Sequence, residues 1–232
     1  MSDAAKKTAA TPGLGTTLAS IVNGCFGDYL SQRDNGLAID MAFYRNNRPL
    51  PLTPEALREA FPAPTSKLCV LVHGLCCHEG AWDYPDNPAR SYGSALQDDL
   101  GYTPFFLRYN TGLPIPYNGT ALDALLEKLL AAYPLDVEEL VLVGHSMGGL
   151  VLRGACHFGA ERGATWVGKV KRVFYIGTPH EGAALERVGH LVNSVLHAVP
   201  HPITALLGDV AGKRSQGIKD LRHGTVLDGA AG

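Results

Sequence analysis

No stretch of the 232-residue chain approaches the ~20 consecutive apolar residues of a membrane-spanning helix, which argues against a helical membrane protein. The first ten residues carry Lys6 and Lys7 without an apolar segment behind them, so they do not form a secretory signal, and the chain reads as unexported and cytoplasmic. Twin-arginine and lipidation patterns are missing too. Neither sign of charge dominates: the formal net charge is −2, which gives no footing for nucleic acid or an anionic membrane. Lys169, Lys171 and Arg172 are the densest basic group and read as a solvated strand end. The five cysteines (Cys25, Cys69, Cys76, Cys77 and Cys156) are odd in number and contain no C-x-x-C pair. Cys76 and Cys77 are adjacent, which precludes an ordinary unstrained disulfide between them, so reduced thiols are expected. No internal repeat, low-complexity tract or H-E-x-x-H metal pattern occurs.

What is present is a rhythm of short apolar runs and helical stretches. Residues 1–17, rich in Ala, Thr, Gly and Lys, read as a flexible tail, and 18–232 as a single domain. Leu18–Leu30 can form a short helix, and partial alternation over Leu37–Tyr44 suggests a half-buried strand. Thr53 can cap a helix that starts with Pro54. Leu68–Val72, Pro104–Tyr109, Leu140–Val143 and Val170–Ile176 read as strands. Between them, Tyr92–Leu100 (stopped by Gly101), the leucines from Leu122 to Leu130, and Met147–Ala160 read as helices. This alternation predicts an α/β fold, a mainly parallel sheet with helices on both faces. Beyond Gly177 the rhythm stops. Residues 185–199 carry one apolar stripe, either a lid or a covering helix, and no strand-like run longer than Thr225–Leu227 follows.

Three motifs lie at the ends of these strands. Gly144-His145-Ser146-Met147-Gly148-Gly149 follows an apolar strand and opens a helix, the context a nucleophile elbow needs. There Ser146 sits on a sharp, strained turn with its hydroxyl clear of the sheet, and the helix N-terminus behind it favours developing negative charge. Val72-His73-Gly74-Leu75 ends another strand about seventy residues earlier. Gly177-Thr178-Pro179-His180-Glu181-Gly182 follows the fourth strand.

In this order and spacing the motifs resemble bacterial lipases and esterases of the α/β-hydrolase superfamily, especially those related to the GPI inositol-deacylase group. The resemblance covers about residues 67–183. It implies an α/β-hydrolase fold and hydrolysis of carboxylic esters, lipid-like ones among them, through an acyl-enzyme on Ser146, without metal or organic cofactor. It implies an oxyanion hole made from the backbone N–H groups of Leu75 and Met147. It casts His73 as an organiser of its loop rather than a proton carrier.

In that superfamily the acid and then the histidine follow the serine along the chain. Here neither comes after a recognisable strand. Asp209, Asp220 and Asp228 are candidate acids, and His223 and His201 candidate bases. Asp209 with His223 has the right order, whereas Asp220 and His223 read more simply as a solvated helical turn. Glu181 is an acid alternative that still needs a histidine. His180 reads as structural, and His190 and His197 as the polar flank of the 185–199 stripe. The chain is therefore expected to lack the last strands of the fold, as the N-terminal portion of a larger hydrolase would. Three functions stay open: a serine esterase acting on a small ester or lipid-like substrate, a non-catalytic homologue, and an acyltransferase or thioesterase using the same elbow.

Overall fold

The computed structural model describes residues 14–32, 38–182 and 215–223. Its centre is a six-stranded sheet in the order β2-β1-β6-β3-β7-β8. β3 (Lys67–Val72), β6 (Thr103–Arg108), β7 (Glu139–His145) and β8 (Val170–Ile176) run parallel, while β1 (Ala42–Arg45) joins β6 antiparallel and β2 (Arg48–Pro49) joins β1 antiparallel. The expected class, a mainly parallel sheet with helices on both faces, is what forms. β8 coincides with the apolar run that announced it, and β3, β6 and β7 match theirs to within one or two residues.

The period-two alternation of each strand divides its side chains between two layers. Leu68, Val70, Val72, Phe105, Leu107, Leu140 and Leu142 enter one core with α4 (Ile115–Ala132) and α5 (Met147–Glu161). Cys69, Leu71, Val141 and Val143 face the other way, onto Trp82, Tyr102 and Leu96 of α3 (Tyr92–Leu100) and its surroundings. β3 and β7 are thus buried on both faces, which their unbroken apolar runs require. Burial pushes the Cys69 thiol up to about 12, so it is a neutral core side chain.

Local signals set several boundaries. Thr53 caps α2 (Pro54–Ala60), its hydroxyl accepting the Ala56 N–H at 3.3 Å. Ser91 and Ser94 form a reciprocal capping box at the start of α3. α1 spans Leu14–Gln32, so it begins four residues before the expected start and takes Leu14–Thr17 out of the stretch read as tail. A two-stranded hairpin, β4 (Asp83–Tyr84) with β5 (Asn87–Ser91), was not apparent from the sequence, where Pro85 and Pro88 interrupt any strand pattern.

α1 and the C-terminal helix α6 (Gln216–His223) meet over the loop that follows β6. Ser215 Oγ donates to the Gly24 carbonyl at 2.7 Å, and the Gly217 N–H donates to Gly112 O at 3.0 Å. Asp220 is buried, contrary to the solvated turn read from sequence. Its Oδ2 accepts the Ile115 N–H at 2.9 Å and its Oδ1 the Gln216 Nε2 at 2.7 Å. α4 begins after Pro114, which supplies no side-chain cap, so Asp220 supplies one from 105 residues away. Residues 185–199, Asp209, Asp228, His201, His190 and His197 lie outside the described residues, as do the side chains of Cys25 and His223.

Candidate active site

The C-terminal ends of β3, β6 and β7 converge on Ser146. The serine bridges β7 and α5 with φ 52° and ψ −123°, a conformation that non-glycine residues adopt only under constraint. Its N–H donates to the Ile176 carbonyl at 2.8 Å and its carbonyl accepts the Gly149 N–H at 3.1 Å, so β8 and the first turn of α5 hold the bend from both sides. The sharpness of the turn depends on bare backbone at Gly148: a Cβ there would run into the carbonyl oxygens of Val72 and His73. The elbow and the end of β3 are therefore in direct contact.

The loop after β3 lies alongside the serine. A Cβ on Gly74 would stand 3.1 Å from the Ser146 Cβ and 3.2 Å from the His145 ring, so the Gly74 backbone passes close beside the Ser146 side chain. Within this loop the Cys76 N–H donates to Thr111 Oγ1 at 3.1 Å and the Cys77 N–H to Gly74 O at 3.3 Å. Among the described residues the Leu75 N–H has no such partner. Met147 is the first residue of α5, where the helix itself leaves an N–H unpaired. Both main-chain donors expected from the sequence thus stand on segments flanking Ser146, each free of an intrahelical or loop bond.

Other expected residues resolve more sharply. The His73 ring is fully buried and stacked on Tyr109 with centroids 4.7 Å apart. Its Nδ1 lies 2.9 Å from Gly74 O, and because a carbonyl only accepts, Nδ1 carries the proton. Burial pushes its pKa down to about 3, so the ring is neutral, and its Nε2 is buried without a partner. The Tyr109 hydroxyl in turn donates to the His73 carbonyl at 2.9 Å. His73 therefore orders the loop. His180 is exposed, edge-on to Tyr175 and 3.5 Å from Arg153 Nη1. Thr178 packs against Gly149, which explains why the Gly-Thr-Pro motif sits behind the elbow. Burial pushes the Cys77 thiol up, so it is no thiolate nucleophile.

Sequence reasoning missed the polar segment Asn110-Thr111, which follows β6 after Tyr109. Both side chains are buried, and they tie the rim together: Thr111 holds Cys76, while Asn110 Nδ2 donates to Gly27 O at 3.0 Å and its Oδ1 accepts Gly112 N–H at 3.0 Å. The signal was available as two small polar residues at the C-terminal end of an apolar strand, where α/β sheets place their sites.

Residues 69–226, more than half of the chain, match the model of the alpha/beta hydrolase family. The chain belongs to the alpha/beta hydrolase family. No curated protein matches it. As a hydrolase of that superfamily the molecule is consistent with a small-molecule substrate, and among its described residues no helix is long and apolar enough to cross a membrane. Within this hydrolase, no histidine among the described residues is hydrogen-bonded to the Ser146 hydroxyl. The histidine–carboxylate contacts there lie at other places: His157 with Glu161 at 3.4 Å along α5, and His78 with Glu79 at 4.0 Å. His78 is engaged with Thr17 and Gly80 instead. No group of three His, Cys, Asp or Glu among the described residues is placed to hold a metal ion.

Proposed function

We propose that this hydrolase cleaves carboxylic esters through an acyl-enzyme on Ser146. The observation that carries this reading is the constrained Ser146 backbone (φ 52°, ψ −123°) set against the Gly74 loop at the N-terminus of α5. In the proposed cycle the Ser146 oxygen attacks the ester carbonyl while its proton passes to a base. The carbonyl oxygen gains charge and is held by the N–H groups of Leu75 and Met147, worth ~3 kcal/mol each at the transition state. Collapse expels the alcohol, which takes up the proton, and water then releases the acid by the reverse sequence.

His223 is our proposed base, because it ends the helix that docks on the rim beside Thr111 and Gly112. Asp209, outside the described residues, is its proposed acid. Asp220 is assigned instead to capping α4, its oxygens accepting the Ile115 N–H and the Gln216 Nε2. The small ester or lipid-like substrate belongs to the same proposal, as does a cytoplasmic location. An acyltransferase or thioesterase would use the same serine with a different acceptor or leaving group.

A second reading is a non-catalytic homologue, which keeps the Ser146 turn but has no base to take the serine proton. Fluorophosphonate labelling separates the two. Labelling of the wild type, lost in Ser146→Ala and reduced at least ~100-fold in His223→Ala, is the expected result. A folded wild type that does not label would support the non-catalytic reading, and equal labelling of Ser146→Ala would remove Ser146 as nucleophile.

A further inference from the structure

A cavity of about 230 Å³ lies over β1 and β6, on the sheet face that carries α3 and the β4–β5 hairpin. In the strand order β6 and β1 are two and three places from β7, so at ~4.8 Å per strand the cavity is about 10–14 Å across the sheet from the strand that carries Ser146. It is a different site.

The cavity has an apolar floor and a polar rim. Phe106 and Pro104 of β6 and Tyr44 of β1 line the floor. Asn46, Asp83 and Gln97 come from three separate segments: the β1–β2 turn, the start of β4, and α3. No hydrogen bond within the protein engages any of these three side chains among the described residues. The rim thus presents two amides and one carboxylate whose hydrogen-bonding capacity is unspent, around a surface that rewards apolar contact.

The charges decide what kind of molecule fits. Glu79, which also lines the cavity, has both carboxylate oxygens engaged by Arg108, whose guanidinium also lies 3.8 Å from the Tyr44 ring. Asp83 is half-buried with Glu79 nearby, and burial followed by that neighbour pushes its carboxyl up. An anion would meet these two carboxylates. A cation would meet the guanidiniums of Arg45 and Arg90, two further lining residues. A neutral molecule escapes both penalties. To use the site fully it needs hydroxyls for Asp83, Asn46 and Gln97 and one C–H face for the floor. A volume just below the usual range for drug-sized ligands sets it at about one ring.

We propose that this cavity binds a single neutral pyranose sugar, its C–H face on Phe106 and Pro104 and its hydroxyls on Asp83, Asn46 and Gln97. Sugar hydroxyls donate to the Asp83 carboxylate in charge-assisted bonds and exchange donor and acceptor roles with the two amides. The site does not require Ser146 to be active.

The test is saturation-transfer NMR followed by titration calorimetry on the full chain, with the methyl glycosides of β-D-glucose, β-D-galactose and α-D-mannose as probes up to about 50 mM. At least one is expected to bind with a Kd in the millimolar range, equally in wild type and Ser146→Ala. Asp83→Ala and Gln97→Ala are each expected to weaken it, Asp83→Ala about tenfold or more. Removing Asp83 breaks no internal hydrogen bond. Should that variant nonetheless fail to fold, the exposed Gln97 carries the test. Absence of saturation by all three glycosides would overturn the proposal. So would unchanged binding in Asp83→Ala or, if only that variant folds, in Gln97→Ala, or a preference of the cavity for n-butylamine or acetate over every glycoside.

Discussion

β7 and β8 are neighbours in one sheet, both rich in apolar residues, and both hold the elbow, yet they stand in different surroundings. β7 lies between β3 and β8, with Leu140 and Leu142 fully buried in one core and Val141 and Val143 in the other. β8 has a strand neighbour on its β7 side alone among the described residues, and Phe174 and Ile176 keep 49% and 48% of their surface exposed. An apolar run therefore signals a strand without saying how many of its faces are covered. Cover comes from partners that arrive elsewhere in the chain. In β7 those partners are α4, α5 and α3, all between the first and fourth parallel strands in sequence.

The comparison yields a graded series of expectations. Leu142→Ala in β7 should cost the most, ~3 kcal/mol in urea unfolding, because it opens a cavity between strands that cannot collapse. A cost below ~1 kcal/mol would mean that the centre of the sheet is looser than its burial indicates. Next comes acid sensitivity at the end of the neighbouring central strand. His73 has a folded pKa near 3, below its unfolded value near 6.5. The unfolded chain binds the proton first, so the stabilisation is fully present above pH 6.5 and is lost as pH falls towards 3. Stability should drop by about 2 kcal/mol between pH 6.5 and 5, and His73→Phe should flatten that slope. An unchanged slope in the variant would assign it to other groups.

Asp220→Ala should cost about 1 kcal/mol and raise amide exchange at Ile115 selectively, since the first turn of α4 loses its cap. Uniform exchange across α4 would show that α6 is not what holds that turn. The smallest effect belongs to the edge: Phe174→Ser should change stability by less than ~0.5 kcal/mol. A cost approaching that of Leu142→Ala would reveal cover over β8 from outside the described residues, and would erase the contrast between the two strands.

The parts of the fold that were legible in the sequence are those whose causes are local. Apolar runs fixed in length by flanking Gly and Lys gave β3, β7 and β8 their bounds, and Thr53 and Gly101 marked helix ends where a side-chain cap and a positive φ occur. The start of α4 was not legible. Its leucine periodicity begins at Leu122, while the helix begins at Ile115 because Asp220 satisfies it from another part of the chain. The site divides in the same way. Ser146 and its flanking glycines form one local turn, so six residues announce it. Thr111, Tyr109 and Asn110 act on other segments through single hydrogen bonds, and nothing in their own neighbourhood specifies the partner. A base and its acid are of this second kind, which is why Asp209 and His223 rest on chain order.

The cap that Asp220 places on Ile115 also bears on how the molecule is made. A nascent chain emerges from its N-terminus, so every strand of the six-stranded sheet has been synthesised once Ile176 has been added. The rim loop and the first turn of α4 must wait for residues 215–220 before they gain the bonds from Ser215, Gly217 and Asp220. During translation the scaffold can thus settle well ahead of the mouth of its own site, and the last described helix is the piece that closes it.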